Sequence, residues 1–191
     1  MYFLKLEHSK LAYYSDFVLY GLAAMALGIF LVLAGPPAQR LLMLGCAIVG
    51  LLSWGPLEYA LHRFVLHGLP PFKDWHAEHH RRPTALICLP ILLSASLIAA
   101  LIFLPALLLS NLWVACALTL GLLTGYFSYA VTHHGLHHWS INQAWFRRYQ
   151  YWHALHHSSA HTVGRYGVTQ RIWDRLCTTD GSADRAHRSS S

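Results

Sequence analysis

Long apolar runs separated by short polar segments dominate this chain. Four runs approach or exceed the roughly 20 apolar residues that a helix needs to cross a bilayer, at about residues 17–34, 41–61, 84–109 and 112–131. Glu58 interrupts the second run. No Asp, Glu, Lys or Arg occurs between Arg82 and Arg147, so the third and fourth runs are predicted to form a hairpin that turns at Ser110 and Asn111. The pattern predicts four membrane-spanning helices.

The polar segments predict further short helices, so the expected fold class is all-α. Residues 1–15 are predicted to form an interfacial lead-in. A helix over residues 75–80 is expected to begin at Asp74 as N-cap, and another helix is expected over residues 145–158. Helix is also predicted to continue from the fourth span through residue 138. Residues 1–180 are expected to form a single membrane-embedded domain, followed by a disordered polar tail over residues 181–191.

The composition excludes an ordinary soluble domain, because 55% of the residues are hydrophobic and only 12% are charged. Four spans place both termini and the segment between the second and third spans on one side. That side holds thirteen of the fourteen Lys and Arg residues, and the other side holds Arg40 alone. The positive-inside rule therefore predicts that the termini and the polar segments are cytoplasmic. The net charge of +6 is interpreted as an orientation signal and an attraction to anionic lipids, and no nucleic-acid partner is expected.

The chain contains fifteen histidines, and most of them lie in groups just outside the predicted spans. Residues three and four apart share one face of a helix, which allows two H-x-x-H-H groups each to present three rings together. His62 and His67 are five residues apart and converge only if the second helix ends near Val65 or Leu66. Ten imidazoles have the required spacing: His62, His67, His76, His79, His80, His133, His137, His153, His156 and His157.

Ten imidazoles exceed what one metal ion needs, since a single zinc takes four ligands, or three and a water. The sequence therefore predicts a two-metal centre at the membrane surface, and imidazole alone does not choose between iron, zinc, copper and nickel. The register of the third group is open, because His134 and His138 are also four apart. A non-catalytic metal-binding or transport protein is the alternative of another class. The lack of a histidine in the middle of any predicted span counts against transport.

Four segments carry a resemblance to a known family: H-R-F-V-L-H at 62–67, W-H-A-E-H-H-R-R-P at 75–83, T-H-H-G-L-H-H at 132–138 and W-H-A-L-H-H-S-S-A-H at 152–161. The chain resembles the fatty acid hydroxylase superfamily over about residues 50–180, and Tyr166-Gly167-Val168-Thr169 is similar to that family too. A gap of four residues between His62 and His67, together with the His133/His137 pair, is most similar to the pattern of fatty acid 2-hydroxylases. Sterol and carotenoid hydroxylases and desaturases of the same superfamily are the alternatives.

The resemblance implies a membrane-bound, dioxygen-dependent oxidoreductase, a non-haem di-iron monooxygenase that hydroxylates a lipid acyl chain at the 2-position. The ten histidines named above would hold two iron ions, which zinc replaces in some purified proteins. Eukaryotic 2-hydroxylases commonly carry a fused haem domain of the cytochrome b type, and no such domain is expected within these 191 residues. Electrons are therefore expected from a separate redox protein. The membrane lipid is the expected substrate, and the histidine groups are expected on the cytoplasmic side.

Outer groups that orient the metal-ligating rings are expected as well. The candidates are His161, Asp174 and Glu78, with the alternative that Asp174 only pairs with Arg171 or Arg175. Glu58 is predicted either to join this network or to reach the membrane surface, because intramembrane acids are costly and often functional. Trp54, Trp113 and the tyrosines at 126 and 129 are interpreted as interface anchors or core residues.

Overall fold

The computed structural model describes residues 7–158 and 164–181, and it is helical apart from short connections. The helices are α1 (Lys10–Ala34), α2 (Arg40–Ala60), α3 (Phe72–Arg81), α4 (Ile91–Ile98), α5 (Leu104–Leu109), α6 (Leu112–His138), α7 (Ala144–Ser158) and α8 (Ile172–Leu176). π-Helical turns at Leu61–Leu66 and Ala99–Phe103 continue α2 and join α4 to α5, and a 3₁₀ turn at Pro37–Gln39 precedes α2. The all-α prediction is confirmed.

Within the described part of the chain, four helical segments are long and apolar enough to cross a membrane. They are Lys10–Ala34, Pro37–Leu66, Ile91–Leu109 and Leu112–His138. The four predicted spans are therefore confirmed, with shifted ends. Many apolar side chains on these segments face outward, as Leu33, Leu41 and Leu109 do. Outward-facing leucines of this kind suit a lipid solvent, where apolar exposure carries no cost.

Three predicted helix starts are wrong, each for a local reason. Helix α1 begins at Lys10 instead of near residue 17, because the Ser9 hydroxyl accepts a hydrogen bond from the amide of Ala12 and caps the helix. The third span begins at Ile91, after Pro90, instead of at residue 84. Asp74 is not an N-cap, since α3 begins at Phe72 and Asp74 lies in its first turn. The predicted helix at 145–158 is confirmed as α7.

The described residues divide into two compact units. The first unit comprises residues 7–54 and 85–128, and the second comprises 55–84, 129–158 and 164–181. The expected polar tail lies outside the described residues from 182 onward.

Within the first unit, α1, α2 and α6 meet in an apolar core formed by Leu31, Met43, Cys116 and Ala117. Helices α2 and α6 approach closely at Gly50, where a Cβ atom would press on the carbonyl group of Leu118. Close approach at small residues is how membrane helices gain packing contacts.

Aromatic residues complete the first unit. Trp54 is buried, and its ring lies edge-on to Tyr126 with 5.4 Å between the centroids. Trp113 stacks on Phe30. Trp54 is therefore a core residue of this unit.

The second unit contains the ten predicted ligands together with α3, α7 and α8. Its small apolar core is formed by Leu136, Phe146 and Val168. The loop at 164–169 leads into α8 and carries Val168, one of the most completely buried side chains. The functional candidates therefore lie within one unit, where their mutual geometry is defined.

Candidate metal centre

The ten predicted histidines converge into two groups of five. Group A consists of His62, His67, His76, His80 and His156. Group B consists of His79, His133, His137, His153 and His157. Within each group, one ring nitrogen from every histidine lies within 4.8 Å of the others. Such groups of histidines suit two metal ions.

Each H-x-x-H-H triad is divided between the two groups, contrary to the prediction that its three rings point together. In α3, His76 and His80 belong to group A, with 4.6 Å between their centroids, and His79 belongs to group B. In α7, His153 and His157 belong to group B and His156 to group A. Residues four apart are separated by about 40° around a helix and residues three apart by about 60° in the other direction. The two histidines that are four residues apart are closer around the helix, and they therefore fall in the same group.

A π-helical turn brings His62 and His67 together. Over Leu61–Leu66 the backbone widens, and the amide of His67 bonds to the carbonyl of His62 five residues earlier. The two rings lie 5.1 Å apart between centroids. The helix ends at Leu66, as the sequence required, and the widened turn is what aligns residues five apart.

The third histidine group adopts the His133/His137 register. These two rings join group B, whereas His134 and His138 stack on each other with 4.4 Å between their centroids. His133 is held further by Tyr129, whose ring stacks on it.

The Nε2 atoms inside each group lie at distances that a shared cation would satisfy. In group A, His76 Nε2 lies 3.0 Å from both His62 Nε2 and His80 Nε2. In group B, His153 Nε2 lies 2.8 Å from His137 Nε2 and 3.1 Å from His157 Nε2. Two nitrogens bound at 2.0–2.1 Å and at right angles around one metal are about 3 Å apart. The donor atoms therefore fit metal ions.

Two ring orientations in group A are fixed by backbone carbonyl groups. The Nδ1–H of His62 donates to the carbonyl of Tyr166 at 2.6 Å, and that of His156 donates to Gly164 at 2.7 Å. A carbonyl only accepts, so each ring carries its proton on Nδ1 and leaves Nε2 free as a ligand. Sequence reasoning missed this role of the 164–169 loop, and only its resemblance to the family pointed to it.

Burial favours the neutral form of the predicted ligand rings. In α3, burial and then neighbouring histidines lower the pKa of His79 and of His80 to about 3. The same causes lower the pKa of His157 to about 2, and burial followed by His156 lowers that of His67 to about 4. The pKa of His156 is lowered by burial, although its bond to Gly164 opposes the shift. Neutral imidazole is the form that binds metal.

Two carboxylates hold the loop that carries the carbonyl groups. Asp174 accepts hydrogen bonds from the amides of Tyr166 and Gly167, both at 2.8 Å. Glu58 accepts from the amides of Val168 at 2.6 Å and Thr169 at 2.9 Å, and also from the Thr169 hydroxyl. Both side chains are almost fully buried. Glu58 therefore joins the network around the rings instead of reaching the surface.

The three predicted orienting residues have different outcomes. Asp174 acts on the loop backbone and not on a ring. The Glu78 carboxylate pairs with Arg81 and with Arg82 at the end of α3, and its orienting role stays a prediction. His161 lies outside the described residues.

Comparison with known proteins defines the class. Residues 47–179 match the fatty acid hydroxylase family, and the chain belongs to that family. Together with the four apolar helices, this makes it a multi-pass membrane protein. It is 33% identical to a dihydroceramide fatty acyl 2-hydroxylase of Arabidopsis thaliana over 150 residues, which cover 68% of this chain and 58% of that protein.

Two other similar proteins are hydroxylases as well. A human fatty acid 2-hydroxylase is 28% identical, over 68% of this chain and 38% of that protein. A Schizosaccharomyces pombe ceramide very long chain fatty acid hydroxylase is 31% identical, over 70% of this chain and 42% of that protein. The chain thus spans well under two thirds of the length of these relatives.

A solved structure has the same fold. The structure of full-length scs7p, in which only the hydroxylase domain is visible, superimposes with a TM-score of 0.72 at 26% identity. The match covers 88% of this chain and 66% of that one.

Proposed function

We propose that this protein hydroxylates the acyl chain of a membrane lipid at the 2-position, using dioxygen and two iron ions. The two adjoining groups of five imidazoles carry the proposal, because they offer a place for two metal ions in a chain of this family. The named relatives, which act on fatty acyl groups and ceramides, supply the substrate class. In the overall reaction a C–H bond becomes C–OH, and dioxygen, two electrons and two protons supply the oxygen atom and one water.

The chain's own residues bind and orient the metal ions. His62 and His156 present Nε2 because their Nδ1–H groups are engaged by carbonyl oxygens. Burial of His76, His79 and His153 excludes water from the inner side of each group. When bound, redox-active metal ions would supply dioxygen activation, which is chemistry that amino-acid side chains lack.

Iron is proposed over zinc because of its redox chemistry and because of the number of ligands available. Zinc has no redox chemistry and prefers four ligands in a tetrahedron, whereas each group here offers five nitrogens. Imidazole suits iron as well as zinc, so the donor type permits either ion. Zinc in purified protein would therefore represent replacement of iron.

A separate protein that carries one electron at a time is the proposed redox partner.

The proposed orientation places the second unit in the cytoplasm. The distribution of Lys and Arg supports this orientation. Cys177 is exposed and offers a reporter once Cys46, Cys88 and Cys116 are replaced by Ser. A membrane-impermeant maleimide should label Cys177 in inside-out vesicles and not in right-side-out vesicles. The reverse labelling would overturn the orientation.

The test of the activity uses the full chain in lipid vesicles, loaded with iron and supplied with a chemical reductant. Under isotopically labelled dioxygen, mass spectrometry of the released acids should show a 2-hydroxy acid that carries the label. Oxygenated sterol or carotenoid in place of this acid would assign the chain to another branch of the superfamily. No dioxygen consumption with any of these lipids would refute the oxygenase proposal.

A further inference from the structure

The two histidine groups differ in how the second nitrogen is held in two rings of each group. In group A, the Nδ1–H groups of His62 and His156 bond to backbone carbonyls. In group B, His79 Nδ1 and His157 Nδ1 are buried and have no hydrogen-bond partner among the described residues. His79 Nε2 is also buried without a partner there.

This difference has consequences for metal binding. A hydrogen bond to the second nitrogen fixes the tautomer and the ring orientation, and it makes the ligating nitrogen a stronger donor. Two ligands of group A are therefore set before a metal arrives. His79 and His157 lack that support, so fewer rings of group B are fixed through their second nitrogen before the ion binds.

Asp174 controls the support given to His62 through a single peptide unit. The carbonyl of Tyr166 and the amide of Gly167 belong to the same peptide group. Asp174 Oδ2 accepts from that amide at 2.8 Å, while the carbonyl accepts from His62 Nδ1 at 2.6 Å. Asp174 Oδ1 accepts from the preceding amide of Tyr166 and from the Thr179 hydroxyl. Hydrogen bonds in such a row polarise one another.

We propose that Asp174 is a positioning residue that acts on His62 through the Tyr166–Gly167 peptide, and that it makes group A the tighter of two unequal metal sites. The inference rests on the proposed two-metal centre and not on the identity of the lipid. Group A fills first, and group B fills at higher metal concentration.

Two substitutions with the same change of charge separate positioning from electrostatics. In Asp174→Asn, both side-chain atoms face backbone amides, so the new NH₂ group opposes an N–H in either orientation. In Glu58→Gln, the remaining oxygen can still accept from Val168 and Thr169, and the NH₂ group faces a hydroxyl that can accept. Only the first substitution must remove a hydrogen bond to a backbone amide of the loop, at Tyr166 or at Gly167.

The measurement is a Co²⁺ titration of the metal-free full chain against a competing chelator, followed by visible absorption. The wild type should show two phases; His67→Ala should remove the tight phase and His137→Ala the weak one. Asp174→Asn should weaken the tight phase by about 10- to 100-fold, the range for loss of an outer hydrogen bond, with the weak phase unchanged. Glu58→Gln should leave both phases within about threefold.

Three results would overturn the proposal: equal affinities in the wild type, filling of group B first, or equal weakening by the two amide variants. The wild-type order of filling tests the inequality even if Asp174→Asn does not fold, which circular dichroism would reveal. Two intact phases without a hydroxylated product would refute the proposed function and leave this inference standing.

Discussion

The ring of His62 donates its Nδ1–H to the carbonyl oxygen of Tyr166, 104 residues further along the chain, over 2.6 Å. This bond ties the end of a membrane-spanning segment to the loop that precedes α8. Because the loop is held in turn by Glu58 and Asp174, a predicted metal ligand, a backbone carbonyl and two buried carboxylates form one structural unit.

The register of the third histidine group provides a matched pair of variants. His137 belongs to group B, whereas its neighbour His138 is exposed and stacks on His134. His137→Ala should remove about one metal ion per chain and lower hydroxylation by at least about 100-fold, more than loss of an orienting group alone. His138→Ala should retain both metal ions and most of the activity. Metal analysis and product yield decide, and equal losses in both variants would contradict the register.

The metal-free protein should lose stability in acid. The folded-state pKa values of His67 (about 4) and His80 (about 3) lie below the ordinary value near 6.5, so the unfolded chain binds more protons at pH 4–6. The free energy of unfolding therefore falls as pH drops below about 6.5, and these groups contribute no slope above about pH 7.5. Thermal unfolding in detergent across this range checks the prediction, which a flat profile from pH 7 to pH 4.5 would contradict.

Removal of metal should lower the melting temperature at neutral pH. The buried nitrogens of His79 have no hydrogen-bond partner among the described residues. Only the folded chain brings the five histidines of each group close enough to bind one metal ion. A ligand that binds the folded state alone stabilises it in proportion to the logarithm of its concentration. Chelation should therefore lower the melting temperature, and restored iron should raise it again. An unchanged melting temperature would argue against a metal in either group.

Replacement by alanine should lower the stability of the protein far more at Glu58 than at Glu78. Glu58→Ala leaves the amides of buried Val168 and half-buried Thr169 without that acceptor, which costs about 2 kcal/mol. Glu78→Ala removes only ion pairs to exposed arginines, worth about 0.5 kcal/mol or less. Thermal unfolding and metal content should therefore change in the first variant only. A loss of metal in Glu78→Ala would support the orienting role expected from the sequence.

The close approach of α2 and α6 in the first unit should not tolerate a methyl group. Gly50→Ala places a Cβ atom against the backbone of Leu118 and Leu122, and the resulting overpacking should cost about 1–3 kcal/mol. Gly45, on the same helix, has open space around its Cβ position, so Gly45→Ala serves as control. Melting temperatures in detergent should fall for the first variant alone. A similar fall in both would indicate a general effect of alanine on α2.

The sequence by itself determined the class of fold, because the signals are local. Apolar runs gave four spans, and spacings of four gave the pairs His76/His80, His133/His137 and His153/His157, which stay together in the structure. Hydropathy does not set the ends of the helices, since the Ser9 cap and the position of Pro90 outweigh it at residues 10–17 and 84–90.

Only the tertiary structure decided how the ten rings divide. Periodicity places three rings on one face of α3. The histidines that the other helices bring to this face determine that His79 joins group B and His76 joins group A. The choice of His133 over His134 and the hydrogen bond from His62 to Tyr166 depend on contacts between distant segments. Such contacts leave no periodic trace in a single sequence, because the partner lies tens of residues away.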